Sequence, residues 1–92
     1  MQKKICASKY RESSTLSEVV GAELTRLRVA RDWSQHKLAD ELGYTERYIG
    51  QLERCTKGPT LRTIADIAEA FATKTSAILR AAERRQRNRG TR

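Results

Sequence analysis

The twenty residues from Ser34 to Glu53, SQHKLADELGYTERYIGQLE, constrain the fold more than any other part of the chain. Their apolar residues recur at helical spacing in two groups, Leu38, Ala39 and Leu42 in the first and Ile49 and Leu52 in the second. Gly43 lies between the groups and permits a sharp bend, because glycine adopts a positive φ without a Cβ clash. Thr45 follows with a side chain that commonly caps a new helix. The pattern predicts two short helices joined by a tight turn.

The second of these helices is expected to have one buried and one exposed face. If Ile49 and Leu52 are buried, the residues left to face outward are Glu46, Arg47, Tyr48, Gly50 and Gln51. In a helix-turn-helix, one helix crosses the DNA backbone while the next presents polar side chains to base edges. The sequence therefore predicts a helix-turn-helix that binds double-stranded DNA.

Helical spacing continues on both sides of this pair and predicts an all-α fold of five helices. They are expected at 15–31, 34–42, 46–54, 61–71 and 76–84, and a capping box of Thr15 and Glu18 opens the first. The inward positions of the flanking helices are Val20, Leu24, Leu27 and either Val29 or Ala30, then Leu61, Ile64, Ile67, Ala68 and Phe71, then Ile78, Leu79 and Ala82. Residues 15–83 would thus form one compact domain between a flexible arm (1–14) and an Arg-rich flexible tail (84–92).

The net charge of +8 is concentrated at the two ends of the chain. Residues 1–17 carry four basic side chains and one acidic, residues 84–92 carry five arginines and no acid, and residues 18–83 hold ten of each sign. Flexible basic ends increase the non-specific affinity for phosphate, although tails that merely keep a protein soluble have the same composition. Beside a helix-turn-helix, DNA contact by at least one end is the preferred interpretation.

Other classes of protein are disfavoured. The 92 residues suffice for one small domain, and no stretch approaches the roughly 18 apolar residues of a membrane span, so a cytoplasmic location is expected. Cys6 and Cys55 do not have zinc-site spacing, and a disulfide is not expected in a reducing compartment. His36 has no partner carboxylate or cysteine in the sequence pattern and is assigned no chemistry. The sequence contains no nucleophile–base pair and no Gly-rich phosphate loop, so no enzyme activity, cofactor or metal is expected.

From Gly21 to Leu79 the chain resembles the DNA-binding domain of phage repressor and Cro-type proteins, also called the xenobiotic-response-element family. The matching segments are GAELTRLR at 21–28, WSQHKLADELG at 33–43, IGQLER at 49–54 and PTLRTIADIAEAF at 59–71. This resemblance implies a compact, repressor-like five-helix domain that is usually dimeric on a two-fold symmetric operator. The stretch RYIGQLER is also similar to the controller proteins of restriction-modification systems.

Base reading is assigned to Glu46, Arg47 and Gln51. Arg can donate two hydrogen bonds to guanine, Gln can pair with adenine, and Glu can accept from cytosine. Glu46 departs from the uncharged residue that the family prefers, so it either reads cytosine or clamps Arg47. The phosphate-contacting candidates are Gln35, Lys37, Thr45, Tyr48, Lys57 and Thr60. The resemblance implies this role for Gln35 and for the region of Lys57 and Thr60, whereas Tyr48 has an equal alternative role in packing at the domain edge.

Two further expectations come from the resemblance. Arg28 and Glu53 match a family pair that forms a partly buried salt bridge between the first and third helices. Cys55 stands where the family commonly has Gly, at a site that often requires a left-handed residue. Either Cys55 keeps that conformation, or Gly58 supplies the turn and the third helix runs longer.

The sequence as a whole predicts a sequence-specific transcription regulator that acts as a homodimer. The residues proposed for the dimer contact are Ile78, Leu79 and Ala82 on the fifth helix, although the same face could close the core of a single chain. Alternatives are a DNA-binding antitoxin with a toxin partner, a restriction-modification controller protein and, from another class, a protein-interaction or coactivator module.

Overall fold

Five α-helices account for most of residues 16–90, the part of the chain that the computed structural model describes. They are α1 (Leu16–Ala30), α2 (Gln35–Leu42), α3 (Glu46–Glu53), α4 (Leu61–Ala70) and α5 (Thr75–Gly90). No β-strand occurs between residues 16 and 90, and the all-α, five-helix prediction is confirmed. The expected arm at 1–14, Thr15 of the capping box and residues 91–92 lie outside the described residues.

The starts of three helices are capped as their sequences predict. Ser34, Thr45 and Thr60 each precede a helix in extended conformation, and their hydroxyl oxygens accept hydrogen bonds from backbone N–H groups three residues later. Each of these bonds is 3.0 Å long. Gly43 ends α2 with φ +77°, so the residue without a Cβ occupies the left-handed position that turns the chain into α3.

The core lies where five helix pairs meet. α1 packs against α5 and α3, while α2 packs against α3 and α4, and α4 packs against α5. The buried apolar residues are Val19, Val20, Leu24, Leu38, Ala39, Ile49, Leu52, Ile64, Ile67, Ala68, Phe71, Ile78 and Ala82. Every helix contributes to this single cluster, so α3 has no position independent of the others.

Two expectations about inward positions are wrong. Leu61 is 77% exposed, although its spacing from Ile64 puts it on the buried stripe of α4. It is the first residue of the helix, and no neighbouring helix covers that turn. Val29 is 59% exposed and Ala30 is exposed as well, because α1 extends past the core at its last turn.

The fifth helix differs from its prediction in length and in the use of its apolar face. It continues beyond Arg84 to Gly90, since the intervening residues are good helix formers and no Gly or Pro interrupts them. Ile78 and Ala82, proposed as dimer contacts, are buried within the single chain, and Leu79 packs partly buried against the same core. Ile78 and Ala82 are therefore not available for a dimer contact while the core is intact, whereas Leu79 keeps part of its surface exposed.

The end of α3 contains a left-handed residue that is not glycine. Cys55 has φ +64°, whereas Gly58 is not in the left-handed region, so the turn is made at the family position. A non-glycine residue in this conformation costs about 1–2 kcal/mol. Cys55 is also disulfide-bonded, against the expectation from the redox compartment; the other cysteine of the sequence, Cys6, lies outside the described residues.

A buried carboxylate joins α1 to α5. Glu23 is 3% exposed and lies 2.6 Å from Nη2 of Arg26 and 3.3 Å from Nη2 of Arg85. Burial acts to raise the pKa of Glu23, but the hydrogen bonds and charges of the two arginines outweigh it and hold the pKa below its ordinary value. A carboxyl group whose pKa is lowered by folding stabilises the fold above its unfolded pKa and loses that effect as acid protonates it.

We expect Glu23→Gln to lower the free energy of unfolding at pH 7 by about 1.5–3 kcal/mol, the range for buried hydrogen bonds to charged groups. The difference from the wild type should shrink as the pH falls below about 4.3, the ordinary pKa of glutamate, because the wild-type carboxyl is then protonated too. Urea unfolding at several pH values measures this. The exposed Glu83 on α5 is the matched control, and a Glu83→Gln variant that gave the same pH profile would contradict the assignment.

Gly21 allows α1 to approach the end of α3 closely. A Cβ added at this residue would lie 2.5 Å from the carbonyl oxygen of Leu52 and 3.2 Å from Sγ of Cys55. The first contact is with backbone, which cannot rotate away. By contrast, a Cβ added at Gly50 would meet the guanidinium of Arg54, 2.9 Å away at the end of a flexible side chain.

We therefore expect Gly21→Ala to destabilise the fold by about 1–3 kcal/mol, the usual cost of overpacking. Gly50→Ala should be neutral or stabilise by up to about 1 kcal/mol, because alanine is the better helix former. Thermal or chemical unfolding of the two variants makes the comparison. Equal stability of both variants would show that the contact between α1 and α3 is looser than the structure indicates.

Candidate DNA interface

The helix α3 has a buried side and a polar side, as the sequence pattern requires. Ile49 and Leu52 are almost fully buried against the core. The amide N–H of Tyr48 donates to the hydroxyl of Thr45 at 3.0 Å, and α3 begins three residues after the left-handed Gly43. The turn and the cap therefore set where α3 begins, and the apolar contacts set which side faces solvent.

The three base-reading candidates lie on α3 with different surroundings. Arg47 is exposed and Gln51 is half-buried. The side chain of Glu46 is 57% exposed, and its Oε1 lies 3.5 Å from Nδ1 of His36 on α2. Among the described residues, Glu46 thus lies beside His36 and forms no ion pair with Arg47, which leaves the Arg47 guanidinium available to a ligand.

Arg28 and Glu53 form an ion pair between α1 and the last residue of α3. Nε of Arg28 lies 2.7 Å from Oε2 of Glu53, and Nη2 lies 3.1 Å from Oε1. The two side chains are only 16% and 6% exposed. Nη1 of Arg28 also donates to the carbonyl oxygen of Trp33 at 2.8 Å. This bidentate geometry is the strong form of an ion pair, and it fixes the orientation of the two side chains as well as their distance.

Gln35, a phosphate-contacting candidate, takes part in the same cluster. Its Nε2 donates to Oε1 of Glu53 at 2.9 Å, so the first residue of α2 is joined to the last residue of α3. An amide NH₂ group has two hydrogens. One is used for Glu53, and the second is compatible with a phosphate contact at the start of α2.

The other phosphate-contacting candidates divide into capping and charged residues. The hydroxyls of Thr45 and Thr60 accept capping bonds from the backbone. The hydroxyl of Thr45 keeps a hydrogen to donate, whereas Oγ1 of Thr60 also lies 3.0 Å from Oγ1 of Thr63. Nζ of Lys37 lies 3.1 Å from Oε2 of Glu41, in an exposed pair within α2. Lys57 is exposed in the loop between α3 and α4.

Tyr48 lies at the domain edge, and its hydroxyl contacts α4. The oxygen is 3.1 Å from Oγ1 of Thr63, and the ring packs edge-on against Tyr44 with centroids 5.3 Å apart. The hydroxyl of Tyr44 donates to the carboxylate of Asp66. Burial and this hydrogen bond raise the pKa of Tyr44 above its ordinary value. Tyr48 was expected either to contact phosphate or to pack at the domain edge, and these contacts are those of a residue packed at the domain edge.

Sequence reasoning missed the contacts of Tyr44 and His36 at this surface. The pairing of Tyr44 with Asp66 joins residues 22 positions apart, and that of His36 with Glu46 joins two different helices. His36 also has Asp40 one turn along α2, with Nε2 3.6 Å from Oδ2. The spacing of four between His36 and Asp40 was the one signal that the sequence contained.

A turn of two helices with these caps, a left-handed glycine and a polar outer face defines a helix-turn-helix domain. A model of the helix-turn-helix family HTH_3, the Cro/C1 type, matches residues 24–78. The chain belongs to this family of DNA-binding transcription regulators, and the resemblance drawn from the sequence is confirmed.

Relatives and solved structures agree with this membership. The uncharacterized HTH-type transcriptional regulator y4dJ of Sinorhizobium fredii is 29% identical over 56 residues, which span 61% of this chain and 73% of that protein. The clp gene regulator ClgR from C. glutamicum has a TM-score of 0.74 at 23% identity, covering 80% of this chain and 95% of that one. The restriction-modification controller protein C.Esp1396I has a TM-score of 0.69 at 18% identity, covering 77% and 91%. Both structures show the same fold.

The described residues contain neither a membrane-spanning element nor a metal cluster. None of the helices within residues 16–90 combines the length and the apolar character needed to cross a bilayer. In the same range, no three His, Cys, Asp or Glu side chains are grouped to hold a metal ion.

We expect Glu53→Ala to lower the melting temperature more than Glu41→Ala. Removing Glu53 leaves Arg28 without its carboxylate in a site that is mostly buried, which costs on the order of 3–5 kcal/mol. Glu41 pairs with Lys37 in water, where such a pair contributes about 0–1 kcal/mol. Calorimetry of the two variants gives the comparison. Equal melting temperatures would mean that the ion pair does not hold α3.

Proposed function

We propose that this chain is a sequence-specific transcription regulator that acts as a homodimer on a two-fold symmetric operator. The observation that carries the proposal is the polar side of α3, where Arg47 and Gln51 remain available while Ile49 and Leu52 anchor the helix. Family membership supports DNA binding, and the helix is of a kind that enters the major groove with its first residues toward base edges.

The position of α3 is held at both ends. Thr45 caps its start, and the ion pair of Glu53 with Arg28 fixes its end. A reading helix must be held firmly, because a base contact depends on placing two hydrogen-bonding groups at once. The proposed reading residues are Arg47 for guanine and Gln51 for adenine, with Glu46 accepting from cytosine.

Phosphate contacts would set the register of α3 on the duplex. The proposed contacts come from the starts of α2 and α3, through Gln35, Lys37 and Thr45, and from the loop before α4, through Lys57 and Thr60. Backbone N–H groups at helix starts and donor side chains are the usual partners of phosphate oxygens. Tyr48 is not proposed for this role, because its hydroxyl faces Thr63.

The homodimer is proposed from the limits of a single reading helix. One short helix contacts only a few base pairs, so a second copy on a symmetric site supplies the remaining specificity. In dimers of this kind, the half-sites lie about 10–10.5 base pairs apart from centre to centre. The dimer contact does not use Ile78 or Ala82, which belong to the core of each chain.

Selection of bound sequences from random duplex DNA tests the proposal. The wild type should recover a two-fold symmetric site, and Arg47→Ala and Gln51→Ala should each relax the preference at one defined base, at a cost of about 1–3 kcal/mol. Arg62→Ala is a matched control, because this exposed arginine lies on α4, where it pairs with Asp66, and is not part of α3. An even loss of affinity over all sequences would mean that neither side chain reads bases.

Other outcomes favour the other candidate functions. Co-purification with a toxin subunit would support a DNA-binding antitoxin, and recovery of no preferred duplex at moderate salt would support a protein-interaction module. Recovery of an asymmetric site by a monomeric protein, measured by sedimentation, would contradict the dimer and leave base reading intact. Similarity to the controller protein C.Esp1396I lies in the fold alone.

A further inference from the structure

His36 lies between two carboxylates at the junction of α2 and α3. Its Nε2 is 3.6 Å from Oδ2 of Asp40, and its Nδ1 is 3.5 Å from Oε1 of Glu46. All three side chains are well exposed, with His36 at 71%. Because Glu46 is the first residue of α3, one of the two carboxylates lies at the end of the helix that is proposed to enter the groove, while the other belongs to α2.

The charge state of His36 decides how this group meets DNA. A neutral imidazole has one N–H and one bare nitrogen, so it can donate to only one of the two carboxylates. The other negative charge then faces the phosphates uncompensated. A protonated imidazole donates from both nitrogens and adds a positive charge, so it can serve Asp40 and Glu46 together while reducing the repulsion of DNA.

We propose that His36 is a positioning residue for Glu46, and that it takes up a proton when α3 docks on DNA. The inference rests on the proposed function, since it concerns the same surface. Phosphates add negative charge near His36 and thereby favour its protonated form in the complex. Because the bound state then holds more protons than the free state, the affinity for DNA increases as the pH falls through the range in which histidine titrates.

The charged groups near His36 do not offer a second explanation for a change of DNA affinity between pH 6 and pH 8. On α2, Lys37 is paired with Glu41 one turn later. On α3, Arg47 follows Glu46, and arginine side chains in general are not deprotonated in proteins. His36 is the only histidine of the chain. The terminal amine also titrates near neutral pH, but it is present in every variant and therefore cancels in a comparison.

The experiment measures the affinity of the full chain for the duplex recovered by selection, at pH 6 and pH 8 and constant salt. The wild type should bind about three- to tenfold more tightly at pH 6, as uptake of up to one proton allows. His36→Gln, which keeps a hydrogen-bonding side chain of fixed charge, should change by less than about twofold over the same range. Circular dichroism at both pH values verifies that each variant is folded.

Two carboxylate variants locate the effect. Glu46→Gln should reduce the ratio of the affinities at the two pH values, because one of the two groups served by His36 no longer carries a charge. Glu41→Gln, on the same helix but paired with Lys37, should keep the wild-type ratio. In addition, the imidazole resonances of His36 should move toward their protonated positions when the duplex is added at pH 7.

Each remaining result overturns the inference. Equal pH ratios in the wild type and His36→Gln, with specific binding retained, would refute proton uptake while leaving the proposed function intact. A wild-type ratio in Glu46→Gln would refute the positioning of Glu46. Absence of any sequence-specific binding at either pH would overturn both the inference and the proposed function.

Discussion

The ion pair of Arg28 with Glu53 is the contact on which the geometry of this surface depends. It connects three helices at one point, because Gln35 of α2 donates to the same carboxylate and Arg28 also holds the carbonyl oxygen of Trp33. Apolar contacts stabilise the core without fixing direction. Charge-assisted hydrogen bonds in a mostly buried site fix the direction of a contact as well as its distance. The ion pair of Arg28 with Glu53 therefore sets the angle of α3 to α1 and α2.

This dependence follows from the size of α3. A helix of eight residues is not stable alone in water, because too few hydrogen bonds offset the cost of starting it. Its order comes from neighbours: the cap at Thr45, the burial of Ile49 and Leu52, and the close approach of Gly21 to the carbonyl of Leu52. The polar side of α3 is therefore placed by contacts at the start of the helix and on its buried side.

Local signals in the sequence were sufficient for most of the fold. The capping residues Ser34, Thr45 and Thr60 and the turn at Gly43 act within four residues of their partners, so the pattern predicts them directly. Leu61 was wrongly predicted to be buried, because periodicity shows which side of a helix faces the core but not how far along the helix the neighbouring helices extend. The contacts of Tyr44 with Asp66 and of His36 with Glu46 depend on the angles between helices, which no local pattern contains.

The charge of the domain explains how a region with equal numbers of acidic and basic residues can face DNA. Four of its ten acids are paired with Lys or Arg: Glu53 with Arg28, Glu41 with Lys37, Asp66 with Arg62, and Glu23 with Arg26 and Arg85, while Asp66 also accepts from Tyr44. Arg47 and Lys57 form no ion pair among the described residues and stay exposed near α3. Two cations near α3 therefore form no ion pair among the described residues, although the region has no excess of positive charge, and Glu46 at the start of α3 lies beside a histidine.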